Sequence, residues 1–125
     1  MILHEVYFES LGGEGGRPDR GLLEALAHDF GSFERWEKEF VAMGKALGGG
    51  SGWVVLTCSQ RDGKLLNQWA ADHTQCLAGS MPLVALDMYE HSYHLDYGAQ
   101  ASAYVDAFMR NIDWNTASTK WKHVF

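Results

Sequence analysis

The sequence predicts an α+β fold, a three-stranded antiparallel sheet packed with flanking helices, in a single domain over residues 1–125. Three observations carry this. Apolar residues recur at helical spacing up to Leu47, switch to strand-like runs between Trp53 and Leu86, and return to helical spacing after Tyr93. Two glycine-rich stretches, Gly12-Gly13-Glu14-Gly15-Gly16 and Gly48-Gly49-Gly50-Ser51-Gly52, punctuate the first half. Asp62-Gly63 lies between two strand-like runs and reads as a hairpin turn.

Residues 1–11 read as a short helix, with Leu3, Val6, Tyr7 and Leu11 on its apolar side. The run from Gly12 to Asp19 reads as a loop. Leu22, Leu23, Leu26, Ala27 and Phe30 mark an amphipathic helix that Gly31 breaks. Ser32 is placed to cap the next helix, whose buried stripe is Phe33, Trp36, Phe40, Met43 and Leu47. Trp53–Cys58 reads as a largely buried strand, Lys64–Ala71 as its antiparallel return, and Pro82–Leu86 as a third strand running into Asp87. Tyr97, Ala101, Tyr104, Val105, Phe108 and Ile112 mark a long helix, and Asn115 is a candidate cap for a last one ending near Val124.

A 46% hydrophobic content is enough for a real core, and 21% charged residues without a block of one sign argues against disorder. The net charge of -6 disfavours a nucleic-acid or anionic-membrane surface. No apolar run is long enough for a transmembrane helix, and the acidic start does not read as a signal peptide. Cys58 and Cys76 show no metal-ligand or redox spacing and read as reduced thiols, which points to the cytoplasm.

The chemistry concentrates in Asp87-Met88-Tyr89-Glu90-His91-Ser92-Tyr93-His94. A carboxylate and an imidazole four residues apart combine a hard oxygen donor with a nitrogen donor, a set suited to iron or manganese. Taken singly, Asp87 reads equally as a cap for the following helix, and His91 as a partly buried structural histidine. His4 carries no signal alone.

This segment resembles the signature Asp-x-Trp-Glu-His-(Ala)-Tyr-Tyr of the iron/manganese superoxide dismutases, with Tyr at position 89 and His at 94. His4-Glu5-Val6-Tyr7-Phe8-Glu9-Ser10-Leu11 resembles the family's His-x-x-(Phe/Tyr)-(Phe/Trp)-x-x-Leu helix. The blocks Asp29-Phe30-Gly31-Ser32-Phe33-Glu34 and Gly50-Ser51-Gly52-Trp53 follow in the family's order, so the resemblance runs from about residue 3 to Trp121 of the family's C-terminal domain. It implies an iron or manganese ion held by His4, Asp87 and His91, with superoxide as substrate. His73, in the loop between the second and third strands, would orient solvent at the metal, with Gln75 as its rival. Glu90 would bond the metal histidine of the other subunit in a homodimer. Trp53 would wall the site.

The departures bear on function. The family's N-terminal helical hairpin, which brings a third metal histidine, precedes the matched segment, and the sequence starts three residues before His4. His94 replaces a tyrosine that meets this hairpin, and Val55 replaces the second tryptophan of Gly-Trp-x-Trp. Two histidines and one carboxylate remain, with His28 and His123 as conceivable substitutes for the third imidazole. The leading expectation is a metal-dependent superoxide dismutase, or a truncated or divergent member. The alternative is a non-catalytic metal-binding or dimerisation domain with the family fold.

Overall fold

The structure is a computed structural model that describes Tyr7 and residues 10–46, 52–70, 80–88 and 101–124. Among these lie four helices and one antiparallel sheet: α1 Arg20–Phe30, α2 Phe33–Ala46, β1 Trp53–Ser59, β2 Leu65–Ala70, β3 Ser80–Asp87, α3 Ala101–Arg110 and α4 Trp114–Val124. The sheet order is β2-β1-β3, so β1 is central. The α+β class and the three strands match the expectation from the sequence.

Local chemistry starts and stops the helices. The Asp19 carboxylate accepts from the Leu22 amide at 3.2 Å and caps α1. The Ser32 hydroxyl accepts from the Arg35 amide at 3.1 Å and caps α2, as its position suggested. The cap of α4 is Asp113 and not Asn115: its carboxylate accepts from the Thr116 amide at 3.2 Å and the Thr116 hydroxyl at 2.8 Å. The third helix stops at Arg110, so Ile112 is buried in the connector rather than within the helix.

The turn after β1 forms as Asp62-Gly63 requires. Gly63 has φ of 75°, which a side chain rarely adopts, and the Asp62 carboxylate accepts from the Lys64 amide at 3.1 Å. The ladder of β1 with β3 slips between Leu56 and Thr57, where the partner changes from Val84 to Pro82. Leu83 is the extra residue, and Pro82, with no N–H to donate, sits on an edge strand.

The main core fills the helix-facing side of the sheet. Leu22 and Leu26 of α1, Trp36 and Phe40 of α2, Phe108 of α3 and Trp114 of α4 meet Val54, Leu56, Val84 and Leu86. Each fully buried large side chain contributes about 1.5–3 kcal/mol. The aromatic rings touch in series: Trp114 to Trp36 at 5.1 Å, Trp36 to Phe40 at 5.2 Å and Phe40 to Phe108 at 6.4 Å between centroids. The α2 stripe differs from expectation in its fourth member. Gly44 is buried there, while Met43 is only partly buried. A Cβ at position 44 would come within 2.8 Å of Leu86 and 3.3 Å of Val105, so the absent side chain lets α2 approach both.

The glycine-rich loop does more than interrupt a helix. Gly13 donates to the Asn111 carbonyl at 3.0 Å and Gly15 to that of Ile112 at 3.2 Å. A Cβ on Gly13 would lie 2.2 Å from the Ile112 carbonyl oxygen, so no other residue fits. Ser10 secures the same corner. Its carbonyl accepts from the Asp113 amide at 2.7 Å, and its hydroxyl accepts from the outward-facing Ala85 amide of β3 at 3.2 Å.

Candidate metal centre

Asp87 is the last residue of β3 and is 1% exposed. Directly across the ladder stands Trp53, the first residue of β1, which is fully buried. Paired residues of antiparallel strands project from the same face, so the carboxylate and the indole are neighbours on the side away from the main core. Trp53, Val55 and Ala85 form a second small cluster there, against which Tyr7 packs. One further bond, from the Met88 amide to the Gly52 carbonyl at 2.9 Å, holds the end of β3 to the start of β1.

Tyr7 and Tyr104 complete this corner. The Tyr104 hydroxyl donates to the main-chain carbonyl of Asp87 at 2.9 Å, and the two phenol oxygens are 2.9 Å apart. The Tyr7 ring stacks on Phe108 at 6.1 Å and meets Trp53 edge-on at 6.2 Å. Burial raises the Tyr7 phenol above its ordinary value; the Asp87 charge adds to this, and the bond with Tyr104 partly opposes it. Tyr7 therefore stays protonated, as a hydrogen-bond donor, at neutral pH.

The donor chemistry fits a hard cation. The Asp87 carboxylate, buried at a strand end, is a hard oxygen donor of the kind iron and manganese take. Of the expected site residues, the structure brings Asp87 and Trp53 together. His4, His73, Glu90, His91 and His94 lie outside the described residues, as does Gln75. Among the described residues no three His, Cys, Asp or Glu side chains gather into a metal-binding group.

His28 is not a substitute ligand. It is exposed on α1, with its ring nitrogen 3.0 Å from the Asp29 carboxylate, and Asp29 in turn accepts from the Leu65 amide at 2.9 Å. Leu65 pairs with Cys58, at the opposite end of β1 from the Trp53–Asp87 pair. Five strand steps, about 17 Å, separate the two ends. At that far end Cys58 is a buried thiol, pushed up by burial and then by the charges of Asp29 and Asp62, which makes it a poor nucleophile. His123 is exposed in the last turn of α4.

Sequence reasoning placed Tyr7 and Tyr104 on apolar helix faces and missed their link to Asp87. The available signal was the phenol itself. A tyrosine at a core-facing position needs a polar partner that a phenylalanine does not.

Residues 18–120 match the family described as iron/manganese superoxide dismutases, C-terminal domain. The chain is 68% identical over 121 residues to a protein of Cupriavidus metallidurans named "Superoxide dismutase [Fe]", covering 97% of this chain and 61% of that protein. It is 38% identical over 123 residues to "Superoxide dismutase [Mn] 2" of Haloferax volcanii, covering 97% of this chain and 60% of the relative. A "Superoxide dismutase [Fe]" of Methanothermobacter marburgensis is 34% identical over 128 residues. The chain thus spans about three-fifths of the length of these relatives, 60% to 63%.

Proposed function

This chain belongs to the iron/manganese superoxide dismutases, in their C-terminal domain, and on that premise we propose that it serves a metal-dependent disproportionation of superoxide. Two superoxide anions and two protons become dioxygen and hydrogen peroxide. One anion loses an electron, and the other gains that electron with both protons. Bound iron or manganese supplies a one-electron couple between the trivalent and divalent states.

The chain's residues do the rest. Asp87, His4 and His91 hold the ion, the carboxylate contributing the negative charge that favours the trivalent state. His73 orients solvent and moves a proton at the site. Trp53 excludes bulk water from one side. Glu90 supports a metal histidine across a homodimer, His94 belongs to the same outer set, and the protein works in the cytoplasm. The observation that carries this reading is the buried Asp87 carboxylate at the end of β3, beside Trp53 and within the electrostatic reach of Tyr7. Tyr7 is three residues after His4, so the packing of Tyr7 against Trp53 supports the approach of the His4 segment to Asp87.

Metal analysis and a superoxide assay on protein purified from its whole reading frame test this. The expected result is iron or manganese near one ion per chain, with dismutation. Asp87→Asn is expected to lose metal affinity by more than about 100-fold, beyond the effect of removing an outer partner of a ligand. Stoichiometric metal without dismutation removes the catalytic assignment. Absence of both metals, with no rise in Tm on adding them, leaves a non-catalytic domain of the same fold.

A further inference from the structure

We propose that Tyr104 and Tyr7 are positioning residues for Asp87, forming a directed hydrogen-bond relay that fixes the main chain of this carboxylate against the segment following His4. The proposal rests on the reading of Asp87 as a metal ligand.

Proton inventory sets the direction of the relay. The Asp87 carbonyl can only accept, so the Tyr104 proton lies on that bond, 2.9 Å long. The Tyr7 hydroxyl then supplies the proton between the two phenols, also 2.9 Å apart. The chain of bonds runs from Tyr7 to Tyr104 to Asp87. It joins three stretches of sequence, the phenols being 97 positions apart and Tyr104 and Asp87 17 positions apart.

Packing locks both ends of the relay. The Tyr7 ring is nearly parallel to Phe108, at 9° between planes, and nearly perpendicular to Trp53, at 78°. Tyr104 is 6% exposed on α3. Phenylalanine would fill the same space at either position and would avoid burying a hydroxyl. The Asp87 carbonyl gives the buried Tyr104 hydroxyl a polar partner, and Tyr104 gives one to that of Tyr7. Ligand geometry tolerates errors of only about 0.5 Å, so a clamp on the ligand's own peptide group acts on metal retention without touching the metal.

The test uses Tyr104→Phe, Tyr7→Phe and the double variant in protein expressed from its whole reading frame. Three quantities are measured: the rate of metal loss to EDTA, the paramagnetic resonance spectrum of the ferric protein, and the Tm of the metal-free protein. Tyr104→Phe is expected to lose metal about 10-fold faster, with an altered ferric spectrum. Tyr7→Phe should show a smaller change of the same kind. The double variant should be no worse than Tyr104→Phe, because Tyr7 acts through Tyr104. A lower metal-free Tm with unchanged metal loss and spectrum would reduce both tyrosines to packing and overturn the proposal. If Tyr104→Phe does not fold, Tyr7→Phe decides by the same two metal readouts. Wild-type protein that holds neither metal removes the ligand reading and the relay with it, whereas metal-loaded variants indistinguishable from wild type remove the relay alone.

Discussion

The two faces of the sheet are built on different principles. The helix-facing side is deep and almost wholly apolar, with Trp36, Phe40, Leu22 and Leu26 at 0% exposure. Among the described residues the opposite side carries Trp53, Val55 and Ala85, and it is there that the buried carboxylate lies. Tyr7 packs against both clusters and ties one to the other. The main apolar cluster and the Asp87–Trp53 pair thus lie on opposite faces of the sheet, joined through Tyr7 and Tyr104. A variant within the helix-side core, away from Tyr104 and Tyr7, should change folding free energy and leave metal binding per folded molecule alone. A variant at the Asp87 corner should do the reverse.

The largest stability effect expected is that of Trp36→Ala. It deletes a fully buried indole that contacts Phe33, Phe40 and Trp114 and donates to the Asn67 side chain at 2.8 Å. The loss should be about 3–5 kcal/mol in urea denaturation. Unaltered metal content in the surviving folded fraction would uphold the separation of the faces, and parallel loss of metal would break it.

Ser10→Ala probes the seam between the two regions. It removes the acceptor of the buried Ala85 amide while the backbone bond to Asp113 persists. The expected cost is about 1–3 kcal/mol. Ala85 precedes Asp87 by two residues on β3, so this variant should also speed metal loss, unlike Trp36→Ala. Equal metal-loss rates in wild type and Ser10→Ala would show that the edge of β3 is not part of the site's support.

The smallest effect is expected at Asp19, the cap of α1. Its carboxyl is held below the ordinary value, first by the Lys122 ammonium 2.7 Å away and then by the Leu22 amide that it caps. A depressed carboxyl contributes stability above the unfolded value of about 4 and loses it as pH falls through the lower folded value. Asp19→Ala should therefore cost about 1 kcal/mol near neutral pH. Both partners are partly exposed, so the Lys122 share is small and screened by salt. The difference from wild type should shrink as pH falls below about 4. A difference that persists there would assign the effect to helix packing instead of charge.

The legible parts of this protein were those written in neighbouring residues. Helical spacing located α1 and α2, the Ser32 cap needed only the following turn, and Asp62-Gly63 specified its own hairpin. The place of Asp87 at the end of a strand followed from the apolar run before it. Errors came where a distant element decided. Asp113 rather than Asn115 caps α4 because the connector, pinned by Ser10 and the glycine loop, ends two residues earlier than an Asn115 cap requires. Gly44, outside the expected stripe, is buried because Leu86 and Val105 close on it, while Met43 packs against the core only partly buried.

The residue pattern by itself determined the α+β class, the order of the elements and the presence of an acid where the third strand ends. Period and capping act over a few residues, so one dimension suffices to specify them. Only the folded molecule decided that Trp53 stands opposite Asp87, that His28 lies at the far end of the sheet, and that two phenols 97 positions apart meet at the Asp87 carbonyl. Strand register and helix docking place those groups, and both are set by packing between segments remote in the chain.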